Sequence, residues 1–418
     1  MVEIMAPAGS FESLHAAIKA GADSVYFGIK QLNMRSKAAN NFQLKDLKKI
    51  SEIAKKHKIK TYLTVNTVMY DNDLQLLNNI LDAAKENKIT AIIASDIAAI
   101  QLARNKNIEV HISTQANVSN IEAVKFFANF ADVIVLAREL RLSQIKKITA
   151  AIKKEKIKGP KGKLIQIELF VHGALCVAVS GKCFMSLATY NHSANRGMCL
   201  QNCRRSYKVT DTETGDELIL DNEYVMSPKD LCTISVLDKL IHAGTEIFKL
   251  EGRGRSPEYV YTVTKVYKEA AKAIQNKTYT KKKIDNWIKE LETVFNRGFW
   301  HGGYYLGNKM GEWSEAYGSK ATERKVYLGK ALNYYTKAKI AHFQLETKGT
   351  KVGDNIIISG PTTGIIKATI KEMRVDEKKA STAKKGQEIT LPIKELVRKN
   401  DKLFKIIKAK DAPITALQ

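Results

Sequence analysis

Short apolar runs alternate with amphipathic segments along roughly the first 250 residues of the chain. The apolar runs have the length of β-strands, and the amphipathic segments repeat apolar residues every three or four positions, which is typical of helices. Nine runs are predicted strands, at 2–5, 24–28, 61–65, 91–94, 109–113, 132–136, 165–170, 224–226 and 246–250. Regular alternation of strand and helix predicts an α/β fold with a parallel sheet, and about eight repeats predict a TIM-like (β/α)8 barrel. We therefore expect one of the nine predicted strands to lie outside the barrel.

The pattern changes near residue 326, where short β runs separated by turns replace the alternation of strand and helix. Their spacing is typical of a small antiparallel β-barrel. The preceding stretch has a helical pattern and then aromatic residues interleaved with glycines, which either stack on bases or pack between two domains. We predict a TIM-like barrel with a cysteine-rich insertion at 168–205 over residues 1–275, a helical and aromatic connector over 276–325, a small basic β-barrel over 326–410 and a tail over 411–418.

Polar residues stand where the predicted barrel strands end, which is where a TIM-like barrel carries its active site. These residues are Asn66, Gln115, Asn117, Arg138, His172, Lys229, Glu251 and Arg253, with Arg35 in the loop after the second strand. Loops that cap helices are polar in any case, but capping does not require a guanidinium group. Arginine offers paired donors to a carboxylate or phosphate, so Arg35, Arg138 and Arg253 are candidates for binding an anion, with a structural salt bridge as the alternative. His172 is either a proton carrier or a packed imidazole.

Four of the five cysteines follow the seventh predicted strand, at Cys176, Cys183, Cys199 and Cys203. Four thiolates from one segment can hold tetrahedral zinc or an iron–sulfur cluster. Their spacing matches neither a paired CxxC zinc site nor a ferredoxin run, so it does not choose the metal, and isolated cysteines are often small buried hydrophobes. Cys232, in an apolar run, is a core thiol or an alternative fourth ligand. Arg196 precedes Cys199 and is a candidate donor to a cluster, a substrate or RNA.

The chain is strongly basic, with a formal net charge of +25 and a pI near 9.6. Residues 326–418 contain 19 Lys and Arg against 9 Asp and Glu, which makes this part more than twice as basic per residue as the remainder. A charge of this size favours polyanionic partners, of which nucleic acid is the commonest in the cytosol. The alternative is that the lysines lie on ordinary helix faces and strand edges. The first residues do not have the pattern of a signal peptide and no apolar stretch reaches about 20 residues, so we expect a cytoplasmic protein with no membrane partner.

One long motif resembles a known family. The pattern from Glu168 through Gly173, Cys176 and Cys183 to Ser186 is similar to the signature of the peptidase U32 (collagenase-like) family. The resemblance continues in APAGSF, ADSVYFG, TQAN, LAREL, MSPKDL and FKLEGRGRSPEYV, and so extends over essentially the whole chain. It implies a barrel followed by a small C-terminal β module.

Within that family, the chain most resembles enzymes that form 5-hydroxyuridine at the wobble uridine of tRNA without oxygen and with prephenate as co-substrate. The resemblance implies a 4Fe-4S cluster on the four clustered cysteines, with Cys232 leaving the fourth ligand open, and it implies the tRNA anticodon loop and a paralogous subunit as partners. We expect catalytic roles for Arg138, Arg253, Glu251 and His172. Substrate contacts are expected from Arg35, Asn66, Gln115, Asn117, Arg196 and Lys229. Arg138, Arg253 or Arg196 would hold the carboxylates of prephenate.

Three other functions stay open. The family name implies a peptidase, although the chain has no HExxH or GxSxG motif. Hydroxylation of another RNA, such as a cytidine of ribosomal RNA, would use the same chemistry. A non-catalytic RNA-binding protein with a structural zinc ion is the third alternative.

Overall fold

The computed structural model describes residues 2–37, 40–205, 207–218, 226–300, 303–307, 312–314 and 318–411. In the first three quarters of the chain the strands are β1 (Glu3–Pro7), β2 (Ser24–Phe27), β3 (Lys60–Val65), β4 (Ala91–Ala94), β5 (Glu109–Ile112), β6 (Val133–Val135), β7 (Gln166–Gly173), β8 (Val209–Thr210), β9 (Glu217–Leu218), β10 (Asp230–Cys232), β11 (Ile247–Leu250) and β12 (Phe299–Trp300). The helices are α1 (Phe11–Lys19), α2 (Leu47–His57), α3 (Leu74–Glu86), α4 (Ile97–Asn105), α5 (Ile121–Ala128), α6 (Leu142–Lys154), α7 (Met185–Tyr190), α8 (Leu237–His242), α9 (Pro257–Gln275), α10 (Lys281–Glu292) and α11 (Gly303–Leu306).

Eight parallel strands close into a barrel. Strands β1 to β7 pair in sequence order, and β11 pairs with both β1 and β7, which completes the ring. This confirms the predicted TIM-like barrel. β10 pairs antiparallel with the end of β7 and lies outside the ring.

The predicted strand at 224–226, the eighth of the nine, is not one of the barrel strands. Residues 224 and 225 fall outside the described residues, and Met226 is in a turn. The element in this part of the chain is β10, which the sequence analysis missed because three residues are too few to show a period.

The barrel has an apolar outer core and a charged interior. Strands such as β4 are buried along their whole length because helices cover the sheet from outside. Inside the barrel, the Lys249 ammonium group lies 2.7 Å from the Glu168 carboxylate, and both side chains are at least 95% buried. His111 lies between the carboxylates of Glu109 and Glu168, at 3.5 and 3.8 Å.

The C-terminal part is an antiparallel β module with its own apolar core. Its strands are β13 (Glu323–Tyr335), β14 (Ile340–Leu345), β15 (Thr350–Lys351), β16 (Asn355–Gly360), β17 (Gly364–Thr369), β18 (Arg374–Val375), β19 (Lys378–Lys379), β20 (Thr382–Ala383), β21 (Glu388–Pro392) and β22 (Lys402–Lys408). Eight of them form one sheet in the order β17-β16-β22-β13-β14-β21-β18-β19. The sheet begins at Glu323, three residues before the predicted start at 326.

The β module packs on the first helix of the barrel. Ala16 of α1 is fully buried against Ile357 and Ile365. Gly364 has a φ of +66°, and a Cβ there would lie 3.0 Å from the backbone of α1, so this turn requires glycine. The contact joins the two modules through apolar surface.

The aromatic connector packs against the barrel. Trp300 is 3% exposed, and the Tyr305 hydroxyl donates a 2.6 Å hydrogen bond to the Phe170 carbonyl. These two aromatic side chains are therefore packing residues, and neither is presented for stacking on a base. In the described ranges, no helix is long and apolar enough to cross a membrane.

Candidate active site

The four clustered cysteines line one cavity of about 200 Å³ at the ends of the barrel strands. We call it the cysteine cavity. Its other lining residues include five arginines and one carboxylate, namely Arg35, Arg138, Arg204, Arg255, Arg297 and Glu251. They come from the loops after β2, β6, β7 and β11 and from the connector. The end of the barrel that carries active sites in this fold is thus where the cysteine-rich segment lies.

Hydrogen bonds from two arginines, Arg196 and Arg204, attach the cysteine-rich segment to the barrel. The Arg196 guanidinium donates two hydrogen bonds to the Asp73 carboxylate, at 2.5 and 3.1 Å, and one of 2.7 Å to the Val68 carbonyl. Arg204 donates to the carbonyls of Leu175 and Pro228, at 2.6 and 2.9 Å. These contacts hold the second half of the segment beside the cavity that the thiols line.

The thiols are free and lie within electrostatic range of one another. Burial raises the pKa of the Cys203 thiol, the Arg204 guanidinium opposes that rise, and the thiolates of Cys176, Cys199 and Cys183 add to it. A thiolate at Cys203 is therefore disfavoured by the three neighbouring cysteines. A positively charged metal centre would remove that repulsion.

Four thiols are the donor set of a tetrahedral zinc ion or of an iron–sulfur cluster. Tetrahedral zinc holds each sulfur at about 2.3 Å, which requires thiols nearly in contact with one another. Among the described residues, no group of three or more Cys, His, Asp or Glu side chains is placed to hold a metal ion. A cluster of four irons is larger and takes one cysteine at each iron, so it suits thiols spread around a cavity. The surrounding arginines would balance its negative charge.

Glu251 is the ionised carboxylate of the cavity. Burial raises its pKa, but the guanidinium groups of Arg35, Arg255, Arg138 and Arg253 outweigh burial and lower it below the usual value. The Arg35 Nη2 lies 3.3 Å from the Glu251 Oε1. The carboxylate is therefore a hydrogen-bond acceptor at neutral pH.

Two arginines of the cavity keep unsatisfied donors. Arg138 stacks on the Phe170 ring at 4.2 Å and donates to the Ala174 carbonyl at 3.3 Å, while its Nε is buried without a hydrogen-bond partner among the described residues. Arg297 Nη1 is likewise buried and unbonded, 3.6 Å from the Asp230 carboxylate. Buried donors without partners lose hydration, so they favour an anionic ligand in the cavity.

Gln115, Asn66 and Asn117 form a polar wall. Gln115 lines the cavity and its amide oxygen accepts a 3.1 Å hydrogen bond from Asn66, which lies behind it. Asn117 donates to the carbonyls of Gln115 and Ser180, both at 2.9 Å, so it supports the loop that carries the wall.

The structure places four other predicted site residues away from the lining. Arg253 turns into the barrel, where it donates a 2.9 Å hydrogen bond to Thr64, and burial lowers its pKa to about 10. His172 is 2% exposed and lies against the rings of Tyr267 and Phe299. Lys229 pairs with Glu312 at 2.8 Å, and Arg196 is engaged with Asp73.

Cys232 is also absent from the cavity lining in the described structure. It is fully buried in β10, and burial raises the pKa of its thiol to about 12. The structure therefore groups Cys203, and not Cys232, with the other three thiols.

The sequence analysis did not single out Arg255 and Arg297 as site residues. Arg255 lies two residues after Arg253 in the EGRGR stretch. This regular alternation of arginine and glycine was the sequence feature that could have identified Arg255 as a site residue. Its guanidinium lies 3.5 Å from the centre of the Phe295 ring. Arg297 belongs to the connector, and only the folded chain shows that the connector returns to the barrel mouth.

Relatives of this chain have names from different enzyme classes. A protein named collagenase from Porphyromonas gingivalis is 53% identical over 409 residues, which are 98% of this chain and 99% of that protein. The tRNA hydroxylation protein P1 of Bacillus subtilis is 33% identical over 371 residues, 86% of this chain and 83% of that protein. A 23S rRNA 5-hydroxycytidine synthase of Escherichia coli is 34% identical over 274 residues, 65% of this chain and 40% of that protein.

The model of peptidase family U32 matches residues 9–315. The match contains nearly the whole barrel and all of the cysteine-rich segment. The chain therefore belongs to peptidase family U32.

Proposed function

We propose that this protein is an RNA-modifying enzyme that hydroxylates the wobble uridine of tRNA to 5-hydroxyuridine, using a 4Fe-4S cluster and prephenate and no oxygen. The observation that carries the proposal is the convergence of Cys176, Cys183, Cys199 and Cys203 on one arginine-lined cavity. Such a set suits a redox centre beside an anionic co-substrate. When bound, the cluster would supply one-electron redox chemistry and an electrophilic iron.

The same cavity argues against a cysteine peptidase. A nucleophilic cysteine needs a base within hydrogen-bond reach, usually a histidine. No histidine lines the cavity in the described residues, and His172 is packed among aromatic rings. Four thiols that converge on one cavity also suit a bound metal centre better than a single activated thiolate. Because the Porphyromonas gingivalis relative is named collagenase, peptidase activity is the alternative that experiments must test.

The cavity arginines would hold prephenate. Of the three arginines expected for this role, Arg138 lines the cavity, whereas Arg253 and Arg196 are engaged elsewhere. We therefore assign the carboxylates to Arg138 together with Arg297, because the Nε of Arg138 and the Nη1 of Arg297 are buried without a hydrogen-bond partner among the described residues. Bidentate contacts of this kind fix orientation as well as position.

Glu251 would position the base. An ionised carboxylate accepts the imide N–H of uridine, which cytidine lacks, and the buried Arg35 contact holds the carboxylate in place. A wobble nucleotide is unpaired in the free anticodon loop, so turning it into the cavity costs little stacking energy. tRNA is favoured over ribosomal RNA because the chain aligns with 83% of the Bacillus subtilis tRNA protein and with 40% of the rRNA synthase.

The metal content of anaerobically purified protein tests the cofactor. We expect about four iron and four sulfide per chain in the wild type and in Cys232→Ala, with a loss of more than half in Cys203→Ala. Cys232→Ala is the matched control because it removes a thiol that lies outside the cavity. Zinc in place of iron, or equal iron in all three proteins, would contradict the proposal.

A further inference from the structure

A second depression, on the flank of the barrel, is lined by cationic and polar side chains and by the apolar side chains of Ile18 and Ile53. It has a volume of about 440 Å³ and lies between α1, α2 and the β module. We call it the basic pocket, and its charged or ionisable lining residues are His15, Lys19, Lys49, Lys56, His57 and Arg398. No carboxylate lines it within the described ranges. A cavity with this lining has the chemistry of an anion site.

Most of these cationic side chains form no ion pair with a described residue. Lys49 lies 4.3 Å above the Phe11 ring, and neither it nor Lys56 forms an ion pair with a described residue. Arg398 donates to the Thr363 hydroxyl at 3.1 Å and keeps its remaining donors. Lys19 is the exception, since it pairs with Glu395. Glu12 is the one acidic group that acts on His15.

His15 adds a buried polar atom to the pocket. Its Nε2 is buried and has no hydrogen-bond partner among the described residues. Burial lowers the pKa of His15, and His57, Arg398 and Lys49 lower it further. The cations are thus close enough to repel one another, and a bound anion would relieve that repulsion.

The basic pocket adjoins a groove that is lined by residues next to Arg35 of the cysteine cavity in the chain. The groove contains two cations, Lys30 and Lys37, and two carboxylates, Glu12 and Asp46, together with Phe11, Ser36 and Pro361. Phe11 is the ring under Lys49, and Pro361 precedes Thr362 of the basic pocket. At the other end, Ser36 and Lys37 follow Arg35, which lines the cysteine cavity. Cations therefore occur in the basic pocket, in the groove and in the cysteine cavity, and in the groove two carboxylates accompany them.

We propose that the basic pocket and the groove bind the phosphate backbone of the substrate RNA outside the modified nucleotide. The inference rests on the proposed function and names the surface that carries the RNA. Backbone phosphates are spaced along a strand, so one RNA can contact the cations of the basic pocket together with Lys30 and Lys37 of the groove, whereas one small anion would contact only one of these groups. The β module completes the pocket through Thr363 and Arg398, which gives its packing on α1 a role in binding.

Salt-dependent binding of tRNA to the full-length protein tests this inference. We expect Lys49→Ala/Lys56→Ala to weaken tRNA binding several-fold and to reduce the slope of log affinity against log salt by about 1 for each lysine. The control is Lys378→Ala/Lys379→Ala, two exposed lysines on β19 at the opposite edge of the sheet. Both pairs remove the same charge from the surface, and melting temperatures check that each variant is folded.

The outcomes separate this inference from the proposed function. If wild type binds tRNA with a steep salt slope and both double variants match each other, the basic pocket is not the RNA surface, although the RNA substrate stands. If wild type does not bind tRNA, both proposals fail. If inorganic phosphate raises the melting temperature of wild type but not of Lys49→Ala/Lys56→Ala, and tRNA binding is equal in all proteins, the pocket is a free-phosphate site and the inference is overturned.

Discussion

The ionisable residues inside the barrel show how burial and neighbouring charge compete at single side chains. Burial alone would raise the pKa of Glu168, but Lys249 and His111 outweigh it and keep the carboxylate ionised. Burial would likewise lower the pKa of His111, yet the carboxylates of Glu109 and Glu168 raise it. The sequence could not show this network, because its members lie on three strands that are far apart in the chain.

Glu109 gives a pH-dependent prediction. Burial opposes ionisation, but hydrogen bonds from His111 and Lys161 lower the pKa of Glu109 to about 2 from the usual 4.5. A lowered carboxyl pKa stabilises the folded state above pH 4.5, and that stability is lost as the pH falls toward 2. The contribution at neutral pH is roughly 3 kcal/mol.

The melting temperature of wild type should therefore fall more steeply between pH 4.5 and 2 than that of Glu109→Gln, which cannot ionise at this position. Other carboxylates titrate equally in both proteins, so the difference isolates Glu109. Parallel melting curves over this range would show that Glu109 is not stabilised as described.

At the scale of elements, the cysteine-rich segment depends on contacts that its own sequence does not reveal. The sequence predicted that the four cysteines act together, and the structure brings them to one cavity. It did not predict that Arg196 would anchor the segment to Asp73, because no local pattern links two residues so far apart. Arg253 was expected at the cavity because it follows β11. Instead, the turn formed with Gly252 and Gly254 directs its side chain into the barrel.

The Arg196 anchor can be tested by hydrogen exchange. Removal of the three hydrogen bonds of the guanidinium in Arg196→Ala should cost about 1 kcal/mol locally, which corresponds to roughly five-fold faster amide exchange in residues 191–199. Asp73→Ala should give a similar change, and the double variant should add little to either single one. Lys125→Ala is the control, because it breaks exposed ion pairs on α5. Additive effects of the Arg196 and Asp73 changes would rule out a shared anchor.

At the scale of the whole molecule, periodicity predicted the barrel and the β module, because both follow from local alternation of apolar residues. The regularity of the chain also gave eight of the nine strand positions to within a few residues. Contacts between modules were not predictable, since the basic pocket joins α1 and α2 to residues more than 300 positions later. The net charge of +25 favoured a polyanionic partner, but it could not indicate which surface of the protein would bind that partner.

The assignment of RNA hydroxylation is tested most directly by nucleoside analysis of a defined reaction. Anaerobically prepared protein is incubated with unmodified tRNA that carries a wobble uridine, with and without prephenate, and the digested RNA is measured by mass spectrometry. We predict 5-hydroxyuridine only with prephenate, and at least ten-fold less of it with Arg138→Ala, because that variant removes the cavity arginine assigned to the carboxylates. Absence of the hydroxylated nucleoside from protein that carries its iron, together with cleavage of gelatin by the same preparation, would contradict the account and establish a peptidase.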